Sequence, residues 1–254
     1  MSTADVPAAG SVKSAVRTVE LLEFFATHQG LHSLGALHAE LAYPKSSLYV
    51  LLRTLVELGW VETDPTGTRY RIGLRALLTG TAYIDGDAAV SAARETLDRL
   101  AQETGETVHL ARLDGGDVVY LTTRESKHYL RPFSRVGRRL PAYSTSLGKA
   151  LLAERSDAEV AALLPAELTA LTTRTVLDRA ALFAELARTR KRGFAVDREE
   201  NTTGLRCVGV ALRYDRPARD AISCSVPTAR MTAARQREIA AALLAARDRL
   251  EQRG

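Results

Sequence analysis

The sequence has few cysteines and no long apolar run. Its two cysteines, Cys207 and Cys224, cannot form a disulfide framework and lack the C-x-x-C spacing of a metal site. No stretch approaches the roughly 18 apolar residues that a membrane span requires, and residues 1–10, MSTADVPAAG, lack the basic and apolar pattern of a signal peptide. We therefore expect a cytoplasmic protein with no membrane partner, in a reducing compartment.

An excess of one charge is absent from the N-terminal third. The whole chain has a formal net charge of +5, but residues 1–80 hold seven basic and seven acidic residues, a net charge of zero. The net charge of the whole chain is therefore weak support for nucleic acid binding. Whether the chain has a nucleic-acid-binding surface depends on where its basic residues lie in the fold. With 254 residues and 46% hydrophobic content, the chain can form two packed domains.

Catalytic and metal-binding motifs are also scarce. The segment SLGK at 146–149 resembles a phosphate loop only superficially, because Tyr143 stands where the first glycine is needed. Neither G-x-S-x-G nor H-E-x-x-H occurs, and His28 and His32 are separated by Gly30 in a predicted turn. The sequence predicts no catalytic residue, no metal site and no cofactor.

Residues 44–72, PKSSLYVLLRTLVELGWVETDPTGTRYRI, predict an amphipathic helix followed by a two-stranded hairpin. Five leucines recur at helical spacing and should form one buried stripe: Leu48, Leu51, Leu52, Leu55 and Leu58. Gly59 should end the helix, and residues 64–67, DPTG, have the composition of a tight turn. Because side chains alternate along a strand, Arg69 and Arg71 should share one face of the second hairpin strand.

Two further helices are predicted before this segment. Residues 13–27 carry apolar side chains at helical spacing: Val16, Val19, Leu21, Leu22, Phe24 and Phe25. Ser33 is suited to cap a second helix over 34–41. Three helices followed by a hairpin follow the order of a winged helix-turn-helix, which presents its third helix to the DNA major groove. An ordinary helix and hairpin in an α+β core is the alternative.

The rest of the chain predicts a connector and a second domain. We expect a disordered leader over 1–10, a winged domain over 11–73, a linker helix with a dimerisation role over 74–87, and a further domain over 88–254. In that domain, strands are expected at 107–113, 117–123, 207–213 and 221–226, with helices at 88–104, 146–154, 156–164, 178–192 and 232–252. The mixture predicts an α+β domain in which helices pack on an antiparallel sheet.

Several motifs, taken in order, resemble the IclR family of bacterial transcriptional regulators. In the N-terminal part they are PKSS, LVELGWVE and RYRIGLR. In the C-terminal part they are GETVHLARLDGGDVVYL, VGRRLPAYSTSLGKALLA, GFAVDREENTTGLRCVGVALRYD and AISCSVP. The resemblance covers the chain from about residue 12 to its end. It implies an α+β protein with an N-terminal winged helix-turn-helix and a C-terminal GAF-like effector-binding domain.

The resemblance also implies partners. They are double-stranded DNA at a pseudo-palindromic operator, a small organic acid such as a carboxylate, sugar acid or aromatic acid, and a second copy in a homodimer or tetramer. The expected function is a ligand-responsive regulator of a catabolic operon, a repressor rather than an activator. Such a protein would lie in the cytoplasm and on the nucleoid when bound to DNA.

Candidate DNA-contacting residues lie on the third helix, the hairpin and the first helix: Arg17, Lys45, Ser46, Ser47, Tyr49, Val50, Arg53, Arg69 and Arg71. Val50 could touch a thymine methyl, and Arg53 could read guanine or bind a phosphate. This chain has Val50 where the family's third helix usually carries arginine. The operator sequence therefore cannot be transferred from the family.

Candidate effector-binding residues were identified in two ways. Polar or small side chains interrupt apolar strands at Asp197, Cys207, Ser223 and Ser225, and such groups need partners when they are buried. By resemblance the site also includes Pro132, Leu140, Ser146, Leu147 and Leu205. The start of the helix at 146 could offer backbone N–H groups to a carboxylate. The plainer alternative is that the serines and Cys207 are structural.

Two other functions remain open from the sequence. One is an enzyme that uses a pocket around Cys207 and Asp197, with the winged region serving only for dimerisation. No histidine lies beside Cys207 in the sequence to activate it as a nucleophile. The other is an architectural DNA-binding protein without ligand control.

Overall fold

The computed structural model describes residues 11–132 and 135–252. The leader expected over 1–10 lies outside the described residues. The chain divides into two compact units, with the boundary between Gly86 and Asp87. Each unit has its own hydrophobic core and is described separately below.

The N-terminal unit contains four helices and a small sheet. The helices are α1 (Lys13–Thr27), α2 (Leu34–Leu41), α3 (Lys45–Glu57) and α4 (Leu74–Gly86). The strands are β1 (His32–Ser33), β2 (Val61–Thr63) and β3 (Arg69–Ile72), paired antiparallel in the order β1-β3-β2. The order of α1, α2, α3 and the hairpin is the predicted winged helix-turn-helix.

The core of this unit confirms most of the predicted apolar stripes. Its buried side chains are Leu21, Phe24, Phe25, Leu37, Leu48, Leu52, Leu55, Val61 and Tyr70. Two predicted members are wrong, because Val19 and Leu58 are exposed. Val19 lies two residues before Leu21, about 200° around the helix from the buried face. Leu58 follows the last helical residue as its C-cap, so it has left the stripe.

Capping explains where these helices begin and end. The Ser33 hydroxyl accepts a hydrogen bond from the Ala36 N–H at 3.2 Å, which confirms it as the cap of α2. Gly59 follows α3 with φ +74°, a conformation that glycine adopts without steric cost. In the hairpin, the Gly67 N–H donates to the Asp64 carbonyl at 2.9 Å, which closes the predicted turn.

The C-terminal unit is a six-stranded antiparallel sheet covered by helices. The sheet order is β6-β5-β4-β9-β8-β7, and every pairing is antiparallel. The strands are β4 (Thr107–Asp114), β5 (Asp117–Arg124), β6 (Arg139–Pro141), β7 (Ala195–Arg198), β8 (Leu205–Leu212) and β9 (Asp220–Pro227). The helices are α5 (Ala88–Thr104), α6 (Ser146–Leu152), α7 (Asp157–Leu163), α8 (Arg179–Arg192) and α9 (Ala233–Glu251).

Helix α6 lies directly on the sheet because two glycines allow it. A Cβ at Gly148 would lie 2.1 Å from the carbonyl oxygen of Ala142, and a Cβ at Gly209 of β8 would lie 2.8 Å from the carbonyl carbon of Ser146. Gly209 therefore lets the start of α6 approach the middle of β8, and Gly148 lets the first turn of α6 lie against the backbone of Ala142. This approach forms one wall of the cavity described below.

Candidate DNA-binding surface and effector cavity

The predicted DNA-contacting side chains of α3 lie on its exposed face. Lys45, Ser46 and Ser47 occupy the exposed first turn, Val50 is 64% exposed, and the Arg53 side chain is 70% exposed. Tyr49 is also exposed. The leucines on the opposite face pack into the core, so the predicted DNA-contacting face points away from it.

Arg71 of the hairpin and Arg53 of α3 have acidic partners nearby. Arg69 and Arg71 both point outwards from β3, as predicted. Arg71 donates to the Glu62 carboxylate at 3.0 Å, and the Arg53 guanidinium lies 3.3 Å from Glu57. These exposed ion pairs contribute little stability, about 0–1 kcal/mol each.

Arg17 has a different environment from the other candidates. It is half-buried, and its guanidinium lies 4.9 Å from the centre of the Tyr43 ring. This is the geometry of a cation–π interaction, in which the ring face attracts the positive charge of the guanidinium.

All nine candidate effector-binding residues line one cavity of the C-terminal unit, whose empty volume including its mouth is about 440 Å³. They are Pro132, Leu140, Ser146, Leu147, Asp197, Leu205, Cys207, Ser223 and Ser225. Each of the six strands contributes at least one lining residue, so the cavity lies on one face of the sheet. Its lining combines apolar side chains with several polar ones, which is the composition of a small-molecule site.

The α6 side of the cavity is formed by the first turn of that helix. The Thr145 hydroxyl caps α6 by accepting from the Gly148 N–H at 2.9 Å. Ser146 and Leu147, the first two helical residues, line the cavity beside Thr145. The N–H groups of a first helical turn have no partner within the helix itself, so this turn can present donors to a ligand.

The opposite part of the wall carries buried polar groups. Asp197 is buried, and its Oδ1 accepts a hydrogen bond from the Glu200 N–H at 2.7 Å. Burial raises the pKa of Asp197 to about 7, an effect to which Glu200 adds and which Lys149 and the backbone hydrogen bonds oppose. Lys149 is fully buried, with Nζ 2.6 Å from both oxygens of Glu200.

Cys207 and Ser225 form a polar pair on neighbouring strands. They are register partners of β8 and β9, and the distance between Sγ and Oγ is 3.2 Å. Burial first, and then the negative charge of Asp197, raise the pKa of Cys207 well above its usual value. Since the thiolate is the nucleophilic form, this environment disfavours covalent chemistry at Cys207.

Further lining residues were missed from the sequence. They are His109, Tyr120, Arg138, Thr145, Asn201 and Thr202. The His109 ring lies edge-on to Tyr120, with centroids 4.9 Å apart, and its Nδ1 lies 3.1 Å from the Thr123 hydroxyl. Burial lowers the pKa of His109 to about 3, so the ring is neutral at physiological pH. A polar residue inside the apolar run TVHLARL was the available signal for His109.

Within 11–132 and 135–252, no group of three or more His, Cys, Asp or Glu side chains could hold a metal ion. In the same part of the chain, no helix combines the length and apolar character needed to cross a membrane.

Comparison with known proteins identifies both units. Residues 81–251 match the family model of the bacterial transcriptional regulator IclR C-terminal domain, and residues 14–65 match that of the IclR helix-turn-helix domain. The chain is 35% identical to the HTH-type transcriptional regulator XynR of Escherichia coli K12, over 89% of each chain. It is 32% identical to the acetate operon repressor of Salmonella typhimurium, over 94% of this chain and 89% of the relative.

A solved structure agrees with these sequence matches. The Thermotoga maritima IclR structure superposes with a TM-score of 0.71 at 28% identity, covering 95% of this chain and 98% of that one. The matched families and relatives are regulators, so the enzyme alternative has no support. The chain belongs to the IclR family of bacterial transcriptional regulators, as a DNA-binding protein with a ligand-binding C-terminal domain.

Proposed function

We propose that the protein is a repressor whose affinity for DNA changes when a small organic acid binds in the cavity. In this proposal residues 11–73 bind DNA, residues 74–87 link and dimerise, and residues 88–254 bind the effector. The Salmonella typhimurium relative is named the acetate operon repressor. Its name supports repression over activation, and because acetate is a carboxylate, it also supports an organic acid as the effector. Binding of DNA would place the protein in the cytoplasm and on the nucleoid.

The observation that carries the DNA part is the exposed, mostly uncharged face of α3. A helix that meets only water usually presents charged side chains, whereas this face presents Ser46, Ser47, Tyr49 and Val50 beside Arg53. In the major groove, Val50 would contact a thymine methyl and Arg53 would bind guanine or a phosphate. Lys45 and the two serines at the helix start would meet phosphates or base edges.

The hairpin and α1 would supply further backbone contacts. Arg69 and Arg71 would meet phosphates or the minor groove, and Arg17 would bind a phosphate beside the first helix. For Arg71 and Arg53, a phosphate would replace the acidic partner that each has within the chain. Because these ion pairs are exposed, exchanging them costs little.

The effector would lie across the cavity between α6 and the sheet. The N–H groups of Ser146 and Leu147 would donate to a carboxylate, with Pro132, Leu140 and Leu205 as the apolar wall. Asp197, Cys207 and the two serines would bind the hydroxyl groups of the acid. Asp197 would face away from the carboxylate, because like charges repel.

A homodimer, alone or paired into a tetramer, would present two copies of α3 to a pseudo-palindromic operator. Three leucines on one side of α4 support this assembly: Leu74, Leu77 and Leu78 are 60–62% exposed. The effector can regulate binding only if its affinity differs between the DNA-bound and DNA-free arrangements of the dimer.

Binding of DNA by an Arg53→Ala variant tests the proposal. The operator is first selected from random duplexes with the unmodified protein, and affinity is then measured across a salt series by fluorescence anisotropy. We expect a loss of about 1–3 kcal/mol, since a base or phosphate contact disappears. Arg99→Ala is the matched control, because Arg99 forms an equivalent exposed pair with Glu95 on α5. Equal affinity of Arg53→Ala and the parent at every salt concentration would refute the placement of α3.

A further inference from the structure

The charges around the cavity are distributed unevenly. Of the described residues that line it, five carry titratable or charged side chains: His109, Tyr120, Arg138, Asp197 and Cys207. His109 is neutral, because burial lowers its pKa to about 3. Burial raises the pKa of Tyr120 and of Cys207, so both are also neutral near pH 7. Among these described lining residues, Arg138 therefore supplies the positive charge, and Asp197, whose pKa burial raises to about 7, is partly ionised near neutral pH.

Arg138 is fixed at the β6 edge of the sheet. It directly precedes β6, and its carbonyl oxygen accepts a hydrogen bond from the Tyr120 N–H of β5 at 2.9 Å. Its side chain is half-buried. The positive charge of Arg138 lowers the pKa of His109, in addition to the larger effect of burial. Arg138 therefore acts electrostatically on His109, which lines the cavity from β4.

The neighbouring arginine lies in a different environment. Arg139 is ion-paired with Asp114 at 2.5 Å and with Asp117 at 2.7 Å, at the turn between β4 and β5. It is not among the described residues that line the cavity. Of these two adjacent arginines, Arg138 is the one among the described residues that line the cavity.

The negative charge lies at the other edge of the sheet. Asp197 belongs to β7, which is the strand at the opposite end of the order from β6. The nearby Lys149 is held by both oxygens of Glu200 and is fully buried. An anionic group of a ligand is therefore attracted to the Arg138 end and repelled from the Asp197 end.

We propose that Arg138 selects for an acid by binding the effector's carboxylate, and that the effector is a hydroxy acid whose hydroxyl groups point towards Asp197, Ser223 and Ser225. This inference rests on the proposed function, because it names the effector class of the same cavity. The N–H groups at the start of α6 can donate to a carboxylate oxygen or an amide oxygen alike. A guanidinium favours the anion, since hydrogen bonds to a charged acceptor are stronger. Discrimination between an acid and its amide thus depends on Arg138.

Calorimetric titration of the full-length chain tests this assignment. The probes are sodium glycolate, D-glycerate and D-gluconate, each beside its carboxamide. The proteins are the parent, Arg138→Gln, Arg138→Lys and the neighbouring control Arg139→Gln. We expect the parent to prefer at least one acid over its amide. Arg138→Gln should lose about ten- to a hundredfold in affinity for that acid and little for the amide.

The variants separate the possible outcomes. Arg138→Lys should keep part of the preference and Arg139→Gln all of it, because the charge at the cavity remains in both. If Arg138→Gln does not fold, the parent's affinity for the acid must still weaken with added salt, while that for the amide must not.

Two results would overturn the inference. An unchanged acid preference in Arg138→Gln refutes it and leaves the proposed function in place. Failure of all three acids to bind the parent refutes the hydroxy-acid class of effector, and with it the role of Arg138. In that case the DNA measurement with Arg53→Ala still decides the regulatory part of the proposed function.

Discussion

At the scale of single residues, Asp197 should control how stability depends on pH. Its carboxyl has a pKa of about 7 in the folded chain, against an ordinary value of 3.8. Between these two values the folded chain holds a proton that the unfolded chain has released, so the free energy of unfolding falls as the pH rises. The groups that act on Asp197 from its surroundings are Lys149, Glu200 and the backbone N–H groups of Glu200 and Asn201.

We predict that Asp197→Asn removes this dependence. The amide keeps an acceptor for the Glu200 N–H but does not ionise, so the variant should gain stability relative to the parent between pH 5 and pH 8. Urea unfolding at both pH values, followed by circular dichroism, gives the difference. Asp85→Asn, at an exposed position in α4, is the control. A stability difference between Asp197→Asn and the parent that does not change with pH would contradict the raised pKa.

The sequence located much of the cavity at this scale. Asp197, Cys207, Ser223 and Ser225 were visible as polar interruptions of apolar strands, and the family resemblance supplied the other five candidate residues. His109 escaped because its place depends on register: it pairs with Ser223 across β4 and β9, and a single strand does not reveal its partner. Arg138 escaped for a similar reason, since only the contact with Tyr120 decides which of two adjacent arginines faces the cavity.

At the scale of elements, Arg112 joins the start of α5 to the sheet. Its guanidinium donates to Asp87 at 2.5 Å and to both oxygens of Asp220 at 2.7 Å. Asp87 is also the cap of α5, because its carboxylate accepts from the Val90 N–H at 3.0 Å. The Tyr214 hydroxyl donates to Asp220 as well. Arg112 of β4 thus links the start of α5 to β9, and Tyr214 joins the same cluster through Asp220.

We predict that Arg112→Met lowers the free energy of unfolding by about 3–5 kcal/mol, because Asp87 and Asp220 are left as buried, uncompensated charges. The measurement is urea unfolding at neutral pH. Adding Asp87→Ser, which keeps a capping oxygen, and Asp220→Asn should recover part of the loss. Arg124→Met breaks the exposed ion pair between Arg124 of β5 and Asp98 of α5 and should cost about 1 kcal/mol or less. An equal cost for both arginines would refute the special role of Arg112.

Elements with strong internal periodicity were predicted well. Helices α1, α3, α5 and α9 and strands β4, β5, β8 and β9 lie within a few residues of the predicted ranges. Strands β1, β6 and β7 were not predicted, because they have only two to four residues. Strands β2 and β3 are as short, but the turn between them made the hairpin recognisable, whereas a short strand without such a turn is defined by the neighbour it pairs with. The connector helix α4, Leu74–Gly86, lies within the linker predicted over 74–87.

At the scale of the whole molecule, the prediction concerns assembly. Leu74, Leu77 and Leu78 lie at i, i+3 and i+4 of α4, and none of the residues of α4 is buried within the chain. Burying a leucine contributes about 1.5–3 kcal/mol, so this stripe is suited to a second copy. We predict that Leu77→Glu with Leu78→Glu raises the dissociation constant of the dimer by at least about a hundredfold.

Light scattering coupled to size-exclusion chromatography measures this change. Thr79→Glu adds a charge to the same helix about 100° away from Leu78 and should leave the assembly intact. Loss of the dimer should also weaken operator binding, because two linked copies of α3 bind more tightly than one. A double variant that remains a dimer would show that α4 is not the contact.

Gly148 of α6 and Gly209 of β8 restrict how the effector specificity of this protein could be changed to make a biosensor. Since neither Gly148 nor Gly209 tolerates a side chain without moving the backbone, the donors at the start of α6 stay where they are in every functional variant. New specificity must then come from the removable side chains around them, such as Leu140, His109 and Arg138. A mutant library aimed at other metabolites should spare the glycines and vary those positions.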